Sequence, residues 1–308
     1  MKQSIILSAF LMLALTSCED FFQTTVEIEL PEHEAKLTYS GFAYLLNDTL
    51  NVSHVISHSK GTLDNDPVDI QNGKYVLKTD DKVLVDETLL SFANTYLDTS
   101  EPLVAGNQYD ITVSADGWED ISASQVLPKA VEIETVEYEA NGGIDEFGEP
   151  ADTYSITFTD DGDEENYYFV SGLAKVTSSY TFDGVTYTDT YEDNLYFTST
   201  DPTVTQMWGF NGAAIKDAAF NGKEYSLRLN SYPVSYNESG NDFSVELESV
   251  NIKLFSLSKE AYNFLVSLQL YKDARDNPFS EPVVVFENIE NGYGIFALAN
   301  ATEKIVEF

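Results

Sequence analysis

The chain has 308 residues, 52 of them Asp or Glu against 16 Lys or Arg, for a formal net charge of −36. A field that negative repels phosphate backbones and excludes nucleic-acid binding, while a hydrophobic fraction of 43% with 19 Tyr and 19 Phe is too apolar for a disordered acidic tail. One cysteine excludes an internal disulfide and a cysteine-rich zinc site.

The first segment is an address. Met1-Lys2-Gln3-Ser4 is positively charged, Ile5 to Leu15 is apolar, and Thr16-Ser17 are small, so residues 1–17 read as a secretory signal peptide too short to anchor as a span. Leu15-Thr16-Ser17-Cys18 resembles the bacterial lipobox, which makes the lone cysteine, Cys18, the expected site of acylation. The bland alternative is an ordinary signal peptide with a chance cysteine. Two or more acyl chains anchor stably, at ~0.8 kcal/mol per buried methylene. Glu19-Asp20 resembles the acidic export tag of surface lipoproteins of Bacteroidota, which points to the outer membrane and the cell surface. Residues 18–35 then read as a tether, with a short strand at Val26–Leu30.

From Lys36 the pattern alternates with period two in short runs, at Leu37–Leu46, Asn51–Ser59, Lys74–Lys78, Val83–Thr88, Gln108–Ala115 and Ile121–Leu127. Turn residues separate them, Asn47-Asp48 and Asn72-Gly73 among others. Residues 36–128 are therefore expected to form an Ig-like or transthyretin-like β-sandwich, ending near Pro128. Residues 129–308 read as a larger antiparallel β-sandwich or open barrel, so the fold class is all-β. Its strands are expected at Tyr154–Phe158, Tyr167–Val176, Ser178–Phe182, Thr186–Thr190, Asn194–Ser199, Glu224–Leu229, Phe243–Ser256, Val283–Phe286 and Gly294–Leu298. Asp183-Gly184 between two such runs predicts a type I′ hairpin turn. One helix interrupts the strands: Ser258 can cap a helix over residues 259–272, with Ala261, Tyr262, Leu265, Val266 and Leu268 as its apolar stripe.

Four residue groups carry a resemblance: Phe158-Thr159-Asp160 with Asn166-Tyr167-Tyr168, then Phe220-Asn221-Gly222-Lys223, the helix Ser258–Lys272, and the tail from Asn277-Pro278-Phe279 through Pro282 and Asn288 to Gly292-Tyr293-Gly294-Ile295-Phe296. With the lipobox, they resemble domain-of-unknown-function family 4249, lipoproteins of Bacteroidota. The resemblance implies an outer-membrane lipoprotein often encoded beside TonB-dependent receptors, and it carries no catalytic residue set. Read from chemistry alone, Gly292 and Gly294 permit turn or bulge geometry, and Pro278 and Pro282 fix an extended approach to a strand.

Chemistry-bearing motifs are few. His54 and His58 lie on one strand pattern, and four strand residues span ~13 Å, too far to share an ion; His33 falls in the tether. The run Asp160-Asp161-Gly162-Asp163-Glu164-Glu165 is the best calcium candidate, through Asp160, Asp161, Asp163 and Glu164. Its glycine does not fit an EF-hand, since position one would fall on Thr157, and a solvated acidic turn is the plainer reading. No Gly-x-Ser-x-Gly elbow, Walker loop or His-Glu-x-x-His is present. Tyr180, Phe182, Tyr187, Tyr191 and Tyr196 cluster around the Asp183-Gly184 hairpin and form the first binding-surface candidate, against the plain reading that aromatics populate strands. Asp48-Thr49-Leu50 resembles an O-glycosylation triplet of Bacteroidota, with Thr49 the acceptor. The expected function is non-catalytic: an accessory or ligand-capturing partner of a TonB-dependent transporter, with no cofactor. The alternatives are a surface adhesin or structural lipoprotein, and a glycan-active enzyme.

Overall fold

Period-two alternation produces the first strands. In β1 (Leu37–Leu46) the side chains of Leu37, Tyr39, Ala43 and Leu45 are buried on one face, and in β2 (Thr49–His58) those of Leu50, Val52, His54 and Ile56. Asn47 and Asp48 join them at φ of 50° and 61°, with Leu46 opposite Thr49, as a type I′ turn requires. These coordinates come from a computed structural model that describes residues 33–61, 64, 70–80, 82–89, 92–97, 101–162, 164–238, 243–275, 277 and 279–308. The signal peptide, Cys18, most of the tether with its expected strand at Val26–Leu30, Asp163 and Pro278 lie outside the described residues.

Ala35–Ser59 and Asn65–Phe308 form one compact unit. The other unit, Met1–Glu34 with Lys60–Asp64, is described at few residues; in it the Asp64 N–H donates to the Gly61 carbonyl at 3.0 Å.

Three sheets build the large unit. The longest has ten strands, with a path running from β12 (Val204–Met207) through β13 (Gly212–Lys216), β10 (Tyr167–Phe182), β16 (Phe243–Leu257), β17 (Tyr293–Glu307), β1 and β2 to β5 (Phe92–Leu97). Off that path β11 (Val185–Asn194) pairs with β10, and β15 (Tyr236–Glu238) with β16. The sheet stays open rather than closing into a barrel. A four-stranded sheet holds β3 (Gly73–Thr79), β4 (Lys82–Leu89), β6 (Gln108–Ser114) and β7 (Ile121–Val126) in the order β4-β3-β6-β7. The third contains β8 (Ile133–Ile144), β9 (Pro150–Thr159) and β14 (Glu224–Ser231) in the order β14-β9-β8.

Each small sheet packs on the same face of the long one, over its own core. Tyr39, Ile56, Phe296 and Leu298 meet Tyr75, Tyr109 and Ile111 of the four-stranded sheet. Tyr168, Val170, Ile252 and Leu254 meet Tyr154, Ile156, Phe158 and Leu227 of the three-stranded one. The opposite face of the long sheet, with Phe42, Phe169, Phe255, Ile295 and Ala297, is covered by the helix α1 (Lys259–Arg275) through Ala261, Tyr262 and Leu265. Ser258 caps it, its Oγ accepting the Ala261 N–H at 3.2 Å. The protein is thus all-β with one helix, a pair of sandwiches sharing one long sheet.

The expected boundary at Pro128 separates β7 from β8, but the long sheet takes strands from both sides of it. β1 and β17 pair in parallel, Tyr39 opposite Gly294 and Phe42 opposite Ala297. The reason is visible in β1, whose second face carries Phe42, Tyr44 and Leu46. In a free-standing sandwich of residues 36–128 those side chains would face water; beside β17 they lie in the layer under α1. Two other expectations differ. Of Asn194–Ser199, only Asn194, which ends β11 opposite Leu173, and Thr198, bridged singly to Asn230, are paired, and Val283–Phe286 is not a strand.

The tail block is built around close approach. Gly294 has φ 114°, and a Cβ there would stand 2.0 Å from the Tyr39 carbonyl oxygen. Pairing of β16 with β17 stops at Leu257–Ala299. Beyond it the Asn288 side chain stands in for a strand, its Nδ2 donating to the Phe296 carbonyl and its Oδ1 accepting the Phe296 N–H, both at 2.9 Å.

Candidate functional site

The acidic run is shaped by Asn166. Its Nδ2 donates to the Asp161 carbonyl at 2.5 Å and the Glu164 carbonyl at 3.0 Å, closing the loop, while its backbone N–H donates to Asp217 Oδ2 at 2.8 Å. Burial raises the Asp217 carboxyl above its ordinary range, against the pull of that N–H. Asp160 turns inward and accepts from the Tyr168 hydroxyl at 2.5 Å and the Gly222 N–H at 2.7 Å. Asp161 pairs with Lys129 at 2.7 Å, and Glu164 is exposed. The run therefore spreads its carboxylates instead of converging them, and among the described residues no group of three or more His, Cys, Asp and Glu is placed to hold a metal. Replacing Asp160 by Ala orphans the Tyr168 hydroxyl and the Gly222 N–H and is expected to cost about 2–4 kcal/mol in a urea titration. Asp161→Ala, which breaks the solvent-exposed pair with Lys129, should cost less, about 1 kcal/mol.

The aromatic hairpin is the second feature. Asp183 and Gly184 have φ of 55° and 77° between Phe182 and Val185, the expected type I′ turn. Pairing sets Tyr180 opposite Tyr187, Phe182 opposite Val185 and Val176 opposite Tyr191, so these six share one face. Val176 is buried, but beyond it the face is open: Tyr180 is 48% exposed and Phe182 70%. The Tyr180 and Tyr187 rings stack at 5.1 Å between centroids. On the reverse face, Thr177 and Thr190 hydroxyls meet at 2.8 Å, and Thr181 and Thr186 at 3.0 Å. Four of the five named aromatics thus form one surface. Tyr196 lies past β11 in a loop, exposed, while its neighbour Phe197 is buried.

Two clefts lie close to α1. Phe42, Phe169, Phe210, Phe264, Leu265 and Leu268 line an apolar cleft of about 370 Å³ under α1. A more polar one, about 420 Å³, lies between the β6–β7 end of the four-stranded sheet, the acidic loop and the start of α1. Gln125 of that cleft carries no chemical motif and is not foreseen by motif reading. The signal is positional: in Ile121, Ala123, Gln125, Leu127 one inward-facing residue is polar.

His54 is buried between the rings of Tyr39 and Tyr75, at centroid distances of 6.1 and 5.7 Å, while His58 stacks on Trp118 at 5.1 Å. The two histidines serve different contacts. Thr49 is exposed at the start of β2, beside the Asn47-Asp48 turn. No described helix is long and apolar enough to cross a membrane.

A model of the family described as "Domain of unknown function (DUF4249)" matches residues 23–305. A search of curated proteins finds no match.

Proposed function

Since the chain belongs to the DUF4249 family, we propose that it is a non-catalytic lipoprotein of the outer membrane of Bacteroidota, acylated at Cys18 and facing the cell surface, where it acts as an accessory or ligand-capturing partner of a TonB-dependent transporter. The observation that carries this reading is the open aromatic face of the β10–β11 hairpin. A tyrosine-rich strand face that no described residue covers is a poor terminus for a monomer and a good contact for another protein, because a tyrosine ring combines a broad apolar area with a hydrogen-bonding tip. The non-catalytic part is supported by where the buried carboxylates go. Asp160 serves Tyr168 and Gly222, Asp217 serves Asn166, and Asp152 accepts from the Tyr138 hydroxyl and the Asn141 N–H.

The test is recovery of the tagged protein from gently solubilised outer membranes, with mass spectrometry of what accompanies it. Wild type is expected to bring a transporter barrel in near-equal amount, and the pair Tyr180→Ser with Tyr187→Ser to lose most of it. Both rings are exposed, so the variant should keep its stability within about 1 kcal/mol. Recovery of the protein alone, or a barrel equally retained by the variant, overturns the proposal. Loss of adhesion with uptake intact would favour the adhesive reading instead.

A further inference from the structure

Among the described residues, β11 presents the longest regular strand edge left unpaired. One of its edges lies on β10 without a register shift, from Leu173–Asn194 to Phe182–Val185, and the other has no strand beside it. A two-residue turn closes on a hydrogen-bonded pair, so the odd-numbered residues of β11 bond to β10. The Asp189 carbonyl faces that way, and Ser178 Oγ donates to it at 3.4 Å. Thr186, Thr188, Thr190 and Glu192 therefore turn their N–H and C=O groups outward. Proteins blunt such edges with lysine, proline, bulges or brevity. Here the pairings of β4 and β8 carry register shifts, β14 has Arg228 and a bridge to Thr198, and β12 and β15 are four and three residues long. β11, with the sequence VTYTDTYEDN, has none of these devices, and all of its residues are exposed.

The side chains beside that edge select its partner. Val185, Tyr187, Asp189, Tyr191 and Asp193 share the aromatic face, with Asp189 seated between the two tyrosines. Asp189 makes no ion pair among the described residues. A second copy of β11 is disfavoured, because it would bring Asp189, Glu192 and Asp193 against their own kind in a protein of net charge −36. A strand with Lys or Arg at alternate positions fits instead. A cation opposite Asp189 would lie diagonal to Tyr187 and Tyr191, within reach of both rings. We propose that the free edge of β11 receives an extended basic segment of a partner protein as a further strand, with Lys or Arg set against Asp189. This deepens the reading of the aromatic hairpin as a contact surface and rests on it.

Residue-by-residue amide hydrogen exchange on the full-length protein in detergent tests it, with an end-blocked octapeptide of alternating Thr and Arg as the probe. Slowed exchange is expected at Thr186, Thr188, Thr190 and Glu192, the amides that the added strand would cover. The counterpart of alternating Pro and Arg keeps the charge but lacks the donors that would face β11. It should bind at least about tenfold more weakly. Thr188→Pro removes one outward N–H, leaves the bonds to β10 in place, and should weaken the Thr-Arg probe by at least about tenfold. Asp189→Lys, at an exposed side chain, should weaken it as much and is the second variant if Thr188→Pro does not fold. The proposal is overturned if the four amides exchange unchanged up to about 10 mM probe, if both peptides bind alike, or if the folded variants bind the probe unchanged. The two readings fail separately. A transporter retained by Thr188→Pro but lost from the tyrosine pair would overturn strand addition and keep the aromatic contact. Protection of β11 by the probe with no transporter recovered would uphold the edge and overturn the transporter alone.

Discussion

Gly294→Ala should be among the most damaging single-atom changes in this protein, lowering stability by about 3–5 kcal/mol. Two costs add there. The backbone φ of 114° is strained for any residue with a Cβ, and that Cβ would fall 2.0 Å from the Tyr39 carbonyl oxygen and 2.9 Å from its carbonyl carbon. Both contacts are backbone, so no side chain can rotate away; the parallel pairing of Tyr39 with Gly294 has to open. Gly106→Ala is the control. Its φ is 86°, but nothing lies within 4 Å of the added atom, so only the conformational cost of about 1 kcal/mol remains. Urea titrations of the two variants separate strain from collision. Equal losses would show that the close approach carries no weight.

His54→Phe is expected to stabilise the protein by about 1–2 kcal/mol at neutral pH and to remove one component of its acid sensitivity. Both ring nitrogens of His54 are buried without a hydrogen-bond partner, beside the rings of Tyr39 and Tyr75. Burial lowers the His54 pKa from its ordinary 6.5 and raises those of both tyrosines. At neutral pH the ring is uncharged whether the chain is folded or not. As pH falls below 6.5, the unfolded chain takes the proton first, so stability drops with acidification, by up to about 1.4 kcal/mol per pH unit while the folded ring stays neutral. The 52 carboxyl-bearing side chains titrate too, and relief of their mutual repulsion works in the opposite direction. The informative quantity is therefore the difference between wild type and His54→Phe from pH 7.5 to 5. A constant difference would mean that His54 does not titrate in this range on unfolding.

Local chemistry was the readable part of this fold. Asp183-Gly184 specifies its turn because only a few residues accept positive φ, and Ser258 marks the helix start because its hydroxyl meets an otherwise orphaned N–H. The short strands β12, β13 and β15, with sequences VTQM, GAAIK and YNE, carry too little alternation to stand out. The β1–β17 contact is of the same kind, and Phe42, Tyr44 and Leu46 on the second face of β1 are its one local trace. The aromatic face follows from period and turn together. Gln125 and His54 needed the inward positions of β7 and β2 to be known first, since each matters only as a polar residue where an apolar one belongs.

The parallel contact between β1 and β17 has a consequence for how the chain comes into being. Tyr39 must wait for Gly294, roughly 250 residues later, and closing a loop of that length costs about 5 kcal/mol of chain entropy before the contact returns anything. Synthesis runs from β1 toward β17, so β1 keeps one edge unpaired until β17 emerges. A chain cut before Tyr293 lacks the strand between β16 and β1, and its long sheet falls into two pieces. The fifteen residues of β17 therefore act as a latch: until they are in place the edges of β1 and β16 stay open to proteases, and once they are the long sheet is continuous.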